Sequence, residues 1–240
     1  MDKPAAPTTI HRHALTTRIW HWLTAVSVIV LLGSGLMILN AHGQLYWGEY
    51  GANFDEPWFK LIWLFGDARV PGWLTIPSSY NLALARRWHL FFALVLAFAL
   101  LAFMAASLLN RHFQRDLRVR AKELAGARLL ADAKAHARLE FHDPADPRAY
   151  NIFQKLSYVA VIFVLLPLII FTGLAMSPGM NAAWPWLLDI FGGRQSARSV
   201  HFIVAMLLAA FIVAHLALVI LAGPVNEVRS MISGKWRVPR

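Results

Sequence analysis

The chain alternates between long apolar runs and polar or charged connections. A bilayer core about 30 Å thick requires a helix of roughly 20 apolar residues. Four runs approach or exceed this length with almost no charge between their ends: Ile19 to Leu39, Leu84 to Leu109, Leu156 to Met176 and Val200 to Ala222. The pattern predicts an all-α fold, a four-helix transmembrane bundle. We expect residues 1–240 to form a single integral membrane domain.

Lys and Arg are distributed unequally between the connections. Residues 110–155 carry ten of them, whereas residues 40–83 carry only Lys60 and Arg69. Because cytoplasmic loops of membrane proteins are enriched in Lys and Arg, we place the basic connection and both termini in the cytoplasm. The 40–83 connection is then a long outer loop.

Composition supports the membrane assignment and removes several kinds of chemistry. Hydrophobic residues make up 58% of the chain and charged residues 15%, with a mean hydropathy of +0.50, which is too apolar for an ordinary soluble domain. The absence of cysteine excludes disulfides, iron–sulfur clusters and thiolate-bound or covalently attached haem. The net charge of +10 flanks apolar runs and forms no basic stripe with interleaved aromatics, so we expect no nucleic-acid partner.

Both long connections contain a segment with helical character. In the outer loop, the apolar run from Trp58 to Phe65 is either a short helix lying on the membrane or a loop folded over the bundle. In the inner connection, the stretch from Leu117 to Phe141 is rich in Ala, Leu, Arg and Lys and is predicted to be helical. Its leucines either face lipid head groups or belong to a solvated segment.

Four of the ten histidines fall inside the apolar runs, where ionisable residues are rare and usually functional. His201 and His215 share the fourth span. At 100° per residue, their separation of fourteen residues returns to within about 40° of the same helix face and covers roughly 21 Å of rise. His201 is then near the outer surface and His215 near the inner surface. By the same topology, His21 lies near the inner surface and His89 near the outer one.

These depths pair His89 with His201 and His21 with His215. Two axial imidazoles from different helices at one depth are what six-coordinate haem iron requires, and helix bundles build cofactor sites from facing side chains. Each pair is predicted to bind one haem. For a single intramembrane histidine, a hydrogen-bonded contact between helices is an equal alternative, but two depth-matched pairs favour ligation. The other six histidines lie outside the spans, and His42 is at the outer mouth of the first.

Small and basic residues accompany the four histidines. Three glycines, Gly33, Gly35 and Gly173, lie near the depth of the outer pair and could make room for a flat macrocycle, although close helix packing would also explain them. Arginines precede three of the histidines by three positions: Arg18, Arg86 and Arg198. This spacing places each arginine on the side of its histidine. We expect them to pair with haem propionates or, alternatively, to act as interfacial anchors.

At this point the chain resembles a family, the b-type cytochrome subunits of bacterial nickel–iron hydrogenases and formate dehydrogenases together with bacterial cytochrome b561. The resemblance covers nearly the whole chain. It rests on Arg18-Ile-Trp-His21-Trp22, Arg86-Arg-Trp-His89, and Arg198-Ser-Val-His201 followed by His215. Two further stretches are similar to members known as thiosulfate-reductase-type cytochrome b: Asn40-Ala-His42 with Tyr46-Trp47-Gly48, and Gly173-Leu-Ala-Met176-Ser-Pro178-Gly179.

The resemblance implies two b haems and electron exchange with the quinone pool in the inner membrane of a bacterium. Members of the family anchor a periplasmic redox enzyme, and those of this subtype often accompany a molybdopterin oxidoreductase. The chain would then be an electron-transfer subunit in a respiratory chain. The sequence leaves open the direction of electron flow, the partner's substrate, the quinone site and type, the haem potentials and the oligomeric state.

Two alternatives remain at this point. The first is a stand-alone cytochrome that moves electrons between quinone and a small oxidant such as superoxide. The long outer loop argues against it, because long loops in compact proteins tend to be functional. The second is a transporter that uses the histidines along a path for a metal or small cation. Against it, the chain shows no internal repeat, and its one proline within a span, Pro167, lies in the run without histidine.

Overall fold

The computed structural model describes residues 9–52, 54–66, 69–110, 119–138 and 151–238. Two parts of the basic connection, residues 111–118 and 139–150, lie outside the described residues. They contain both ends of the predicted helical stretch, Leu117 and Phe141. They also contain four of the ten basic residues counted above, Arg111, Arg115, Arg118 and Arg148, and two of the histidines outside the spans, His112 and His142.

Four long helices match the four apolar runs. They are α1 (Leu15–Leu39), α3 (Leu82–Leu109), the helix Ile152–Met176, and α9 (Arg194–Ala222). All four are long and apolar enough to cross a membrane, which confirms the all-α, multi-pass prediction. Each ends where hydropathy placed its end, but each begins earlier, because polar residues can continue a helix beyond its apolar segment.

The helix Ile152–Met176 begins at a polar cap. Asn151 Oδ1 accepts a hydrogen bond from the Gln154 amide at 2.8 Å, and the Gln154 side chain accepts one from the Asn151 amide at 3.2 Å. This reciprocal arrangement satisfies two amides that the first helical turn leaves without an intrahelical acceptor. The helix consists of α5 (Ile152–Ala160), a π-helical turn (Val161–Leu165) and α6 (Leu166–Met176). The π turn lies just before Pro167, which has no N–H to donate to the preceding turn.

Large apolar side chains cover the outside of the long helices. Phe98 is 67% exposed and Val213 is 70% exposed, and many leucines and isoleucines of the four helices are similarly open. In water such continuous apolar surface would be unfavourable, whereas lipid tails accommodate it. The chain is therefore a multi-pass membrane protein.

The long connection between α1 and α3 folds around its own small core. Its short elements are β2 (Gln44–Leu45), which pairs antiparallel with β3 (Phe59–Lys60), then α2 (Ile62–Phe65) and a 3₁₀ turn (Gly72–Leu74). Leu45, Leu61 and Val70 are buried together with Leu39 of α1, and Phe202 of α9 packs against them. The Trp58–Phe65 run is thus largely folded over the helices, while Ile62, Trp63 and Leu64 remain exposed.

The connection also completes the start of α9. The amides of Gln195 and Ser196 both donate to the Gly48 carbonyl, at 3.0 and 3.1 Å. In return, the Gly48 amide donates to Ser196 Oγ at 2.7 Å. The first amides of a helix have no partner within it, so this loop turn takes the place of a cap.

The remaining elements are short. The basic connection contains a 3₁₀ turn (Ala121–Leu124) and α4 (Gly126–Ala137), which confirms helix in the described part of that segment. Two short helices, α7 (Pro178–Ala183) and α8 (Trp186–Ile190), precede α9. The chain closes with α10 (Pro224–Ser233) and β4 (Lys235–Arg237), and β4 pairs antiparallel with β1 (Thr9–His11).

The molecule divides into two compact units. Unit 1 comprises the described residues of Met1–Trp22, Leu101–Val161 and Phe211–Arg240. Unit 2 comprises those of Leu23–Leu100 and Ile162–Ala210. His21 and His215 belong to unit 1, and His89 and His201 belong to unit 2. The prediction of a single domain stays a prediction.

In unit 1, β1 and β4, the first and last described strands, are held together around one buried side chain. Trp236 of β4 is fully buried and stands opposite Ile10 of β1. Its indole N–H donates to Glu227 Oε1 at 2.9 Å, and the Arg12 guanidinium lies 4.7 Å from the centre of its ring. Arg12 also forms an ion pair with Glu227 at 3.5 Å. The indole therefore joins the first strand, the last helix and the last strand.

Next to this contact, His13 is held neutral. Burial is the main cause that lowers the pKa of its imidazole to about 4, and the adjacent Arg12 guanidinium lowers it further. At neutral pH His13 thus adds no positive charge beside the Arg12 guanidinium.

Replacement of Trp236 by Ala should loosen the chain ends. Loss of a buried tryptophan side chain costs about 3–5 kcal/mol, and here it also leaves Glu227 without its indole donor. We expect a lower melting temperature in detergent and faster proteolysis near residue 9. Trp184, which is 51% exposed, provides the control, and an equal effect of Trp184→Ala would contradict the role of Trp236.

Candidate functional site

In unit 2, His89 of α3 faces His201 of α9. The ring centres of His89 and His201 are 6.2 Å apart, and their planes are inclined by 55°. Both side chains are half-buried. This is the pairing predicted from depth.

A hydroxyl from a neighbouring helix lies within hydrogen-bond distance of Nδ1 of each of these imidazoles. Ser34 Oγ of α1 lies 3.0 Å from His89 Nδ1, and Thr172 Oγ1 of α6 lies 2.9 Å from His201 Nδ1. Ser34 and Thr172 are fully buried. Neither residue was predicted from the sequence. The sequence pattern that marks them is a hydroxyl residue next to a glycine within an apolar run: Ser34 lies between Gly33 and Gly35, and Thr172 directly precedes Gly173.

Two of the three predicted glycines lie against the histidine rings. A Cβ atom on Gly35 would approach His89 Cε1 to 3.3 Å, and one on Gly173 would approach His201 Cε1 to 3.5 Å. The absence of a side chain at Gly35 avoids a tight approach to its imidazole, whereas a Cβ atom on Gly173 would make an ordinary van der Waals contact. Gly33 lies elsewhere, because a Cβ there would meet Ile76 Cγ1 of the connection at 2.8 Å. A role of Gly33 toward haem stays a prediction, and its contact with Ile76 is helix–loop packing.

The other two histidines face each other in unit 1. The ring centres of His21 on α1 and His215 on α9 are 6.3 Å apart, with planes inclined by 56°. Each ring of this pair also contacts an aromatic side chain of its own helix. Phe211 stacks on His215 with ring centres 5.7 Å apart, and Trp22 meets His21 edge-on at 5.2 Å. The second pairing predicted from depth is thus also present as a contact.

Both pairs fit a haem held through two imidazoles. Nitrogen–metal bonds of imidazole are about 2 Å long, so two imidazoles that bind one iron from opposite sides have ring centres roughly 6 Å apart. The two observed separations agree with this value and with each other. At the His89–His201 pair, the hydroxyl contacts occupy Nδ1 and leave Nε2 as the ring nitrogen that would be available to a metal.

Other metal ligands do not gather around these pairs. Among the described residues, no group of three or more His, Cys, Asp or Glu side chains has the arrangement of a metal site. A porphyrin supplies four ligands of its own, so two histidines at each site are sufficient for iron.

The three arginines predicted to meet propionates have different surroundings. Arg198 donates to the backbone carbonyls of Gln44, at 2.9 Å, and His42, and so attaches the connection to α9. Arg18 donates to the Ile232 carbonyl at 2.5 Å, and its buried Nε atom has no hydrogen-bond partner within the described part of the chain. Arg86 is exposed. The propionate role of these residues stays a prediction.

Comparison with known protein families identifies the fold. The model of the prokaryotic cytochrome b561 family matches residues 12–234. The chain belongs to this family. Its members are b-type cytochromes, so membership implies that this cytochrome binds b-type haem. The matched range includes both histidine pairs.

A curated relative has a similar length. The chain is 28% identical over 217 residues to a putative protein-methionine-sulfoxide reductase subunit, YedZ1, from Azospira oryzae. The alignment covers 87% of this chain and 90% of the relative. No solved structure matches the chain.

Single histidine substitutions should separate the two haem sites. If each pair holds one haem, His89→Ala or His201→Ala removes one of its two ligands, so we expect loss of one of two haems per chain. His21→Ala or His215→Ala should remove the other haem. Haem content is measured by pyridine haemochrome, and each remaining haem is identified by its redox wave.

His42→Ala serves as the control, because His42 lies outside both pairs and should leave two haems. A wild-type content of one haem would contradict the two-site assignment. Loss of the same redox wave from His89→Ala and His21→Ala would contradict the pairing.

Proposed function

We propose that this cytochrome is the membrane subunit of a quinone-linked oxidoreductase. It passes electrons between the quinone pool and a redox enzyme on the outer face of a bacterial inner membrane, with both of its own termini in the cytoplasm. The observation that carries the proposal is the presence of two histidine pairs with nearly the same separation and inclination.

A haem bound at each pair supplies reversible one-electron transfer. The chain's own residues determine what that centre can do. Each pair offers two imidazoles from different helices that would hold the iron of a haem, and with both as ligands a small molecule would have no open position at the metal. The apolar helices around the rings exclude water and favour a cofactor of low net charge. The site is therefore suited to electron transfer and unsuited to oxygen or gas binding.

The relative from Azospira oryzae supports a partner enzyme. Its name makes it a subunit of a reductase, and we extend this to the present chain as a subunit that serves a redox partner. The sequence resemblance indicates a molybdopterin oxidoreductase as the class of that partner. A transporter function is disfavoured by the family assignment.

An aromatic route leads from the His201 helix to the surface of the α1–α3 connection. The Trp58 indole donates to Ser199 Oγ at 2.8 Å, and Ser199 lies two residues before His201 on α9. Trp58 stacks on Trp47 at 5.6 Å, and Trp47 is 54% exposed. This pair of indoles supports electron exchange with a partner at this face.

The surface around Trp47 combines aromatic rings with carboxylates, which suits a basic protein partner. A cavity of about 580 Å³ opens there, and its walls include Trp47, Tyr50, Trp58 and the carboxylates of Asp55 and Glu56. Asp55 and Glu56 are exposed, in a chain whose net charge is otherwise strongly positive. Acidic groups around exposed aromatic rings favour docking of a protein that presents lysines or arginines.

The function is tested with the purified cytochrome in liposomes. A quinol dissolved in the lipid should reduce the haem spectrum of the wild-type protein, and an added quinone should oxidise it again. Protein with His89→Ala and His21→Ala combined should show no such spectrum.

A haem that dithionite reduces but that no ubiquinol or menaquinol reduces would contradict the quinone link. Rapid oxidation of the reduced cytochrome by superoxide, with no enzyme copurifying in mild detergent, would favour a stand-alone cytochrome instead.

Trp47→Ala should slow electron exchange with the copurified partner enzyme. The side chain that continues the indole route to the surface is then missing, while the histidine pairs are unchanged. Stopped-flow reduction in the complex should become several-fold slower at unaltered haem content. Trp73, which is 81% exposed in the same connection, is the control, and equal rates for Trp47→Ala and wild type would contradict the route.

A further inference from the structure

The hydroxyls behind His89 and His201 share one arrangement. Ser34 Oγ donates to the Val30 carbonyl at 2.7 Å, and Thr172 Oγ1 donates to the Leu168 carbonyl at 2.8 Å. In both cases the carbonyl lies four residues earlier on the same helix. Each hydroxyl therefore donates its proton to a carbonyl of its own helix, and the hydroxyl oxygen remains available to accept a hydrogen bond from the imidazole.

This arrangement selects one tautomer at both histidines. With the hydroxyl proton directed at the carbonyl, the oxygen is placed to accept a hydrogen bond from the imidazole, which favours the tautomer of His89 and of His201 that carries its proton on Nδ1. Nε2 then holds the lone pair that a metal requires. The two rings are fixed in orientation as well, because the hydroxyls belong to helices α1 and α6 and not to the helices of the histidines.

We propose that Ser34 and Thr172 are positioning residues that orient the two axial histidines and lower the reduction potential of the haem bound between them. The inference rests on the haem assignment of the proposed function. A hydrogen bond accepted from Nδ1–H increases the negative charge on an imidazole ligand, which stabilises ferric iron more than ferrous iron. Removal of the acceptor should therefore raise the midpoint potential.

Burial makes these contacts effective. Ser34 and Thr172 have no exposed surface, so water does not replace the hydroxyl as acceptor. A hydrogen bond in such a medium is electrostatically stronger than one in water.

In the other histidine pair, at least His21 has no hydroxyl bonded to its Nδ1 atom among the described residues. Nδ1 of His21 is buried, and no hydrogen-bond partner for it is found among the described residues. The effect of Ser34 and Thr172 is therefore restricted to the His89–His201 haem, and substitutions there should leave the second haem unaffected.

The test uses redox titration and electron paramagnetic resonance of the haem-loaded protein. Ser34→Ala, Thr172→Val and the double variant should each shift one of two redox waves to higher potential, with the largest shift in the double variant. The ferric low-spin signal of the same haem should change, because its axial rings are no longer held. Haem content should remain at the wild-type value.

The chain offers matched controls. Ser27 is fully buried on α1 and donates to the Leu23 carbonyl at 2.7 Å, which is the same local bond as that of Ser34, but among the described residues it makes no hydrogen bond to a histidine. Ser27→Ala should shift neither wave. Thr172→Ser retains the hydroxyl and should restore the wild-type potential, whereas the nearly isosteric Thr172→Val should not.

Unchanged potentials in Ser34→Ala and Thr172→Val would overturn the inference, as would equal shifts from Ser27→Ala or a shift of both waves. If Ser34→Ala fails to fold, the comparison of Thr172→Val with Thr172→Ser decides alone. Failure of the proposed function is distinguishable, because the wild-type protein would then carry no haem or would exchange no electrons with quinol.

Discussion

Inside lipid, an imidazole is stabilised by a polar partner on another helix, and in unit 2 this requirement governs how the helices are arranged. The rings of His89 and His201 face each other with centres 6.2 Å apart, and each imidazole has a hydroxyl from a third or fourth helix beside its Nδ1 atom. In unit 2, therefore, α1 lies beside α3, α6 beside α9, and α3 beside α9. Apolar side chains alone would leave these helices free to slide, since lipid tails are as apolar as leucine.

The same requirement explains why the connection between α1 and α3 is folded so closely onto α9. Ser199, two residues before His201, is fully buried. It accepts from the Trp58 indole and donates to the Tyr46 carbonyl, at 2.8 and 2.5 Å. Arg198 and the Gly48 turn add further bonds at the start of this helix. The loop thus satisfies the polar end of α9 and, by the same contacts, brings its aromatic side chains against Phe202 of that helix.

The helices and the histidine pairs could be predicted from the sequence because both depend only on position along the helix axis. Apolar run length gave the spans, and the distance of each histidine from a span end gave its depth, which was enough to match His89 with His201 and His21 with His215. The sequence could not predict contacts that depend on rotation about a helix axis. Gly33 and Gly35 are two residues apart, yet one packs against Ile76 and the other against His89.

Ser34 and Thr172 were missed for a related reason. Hydropathy treats a serine or threonine within an apolar run as nearly neutral, because its hydroxyl can bond to the carbonyl one turn earlier, as both residues do here. That bond is also what makes them suitable neighbours of an axial histidine. A carboxylate at the same position would be a stronger acceptor, but it would bring a charge into the apolar interior at high energetic cost. A hydroxyl with its proton already bound offers an acceptor without charge, so a membrane helix can adjust a metal ligand and remain stable in lipid.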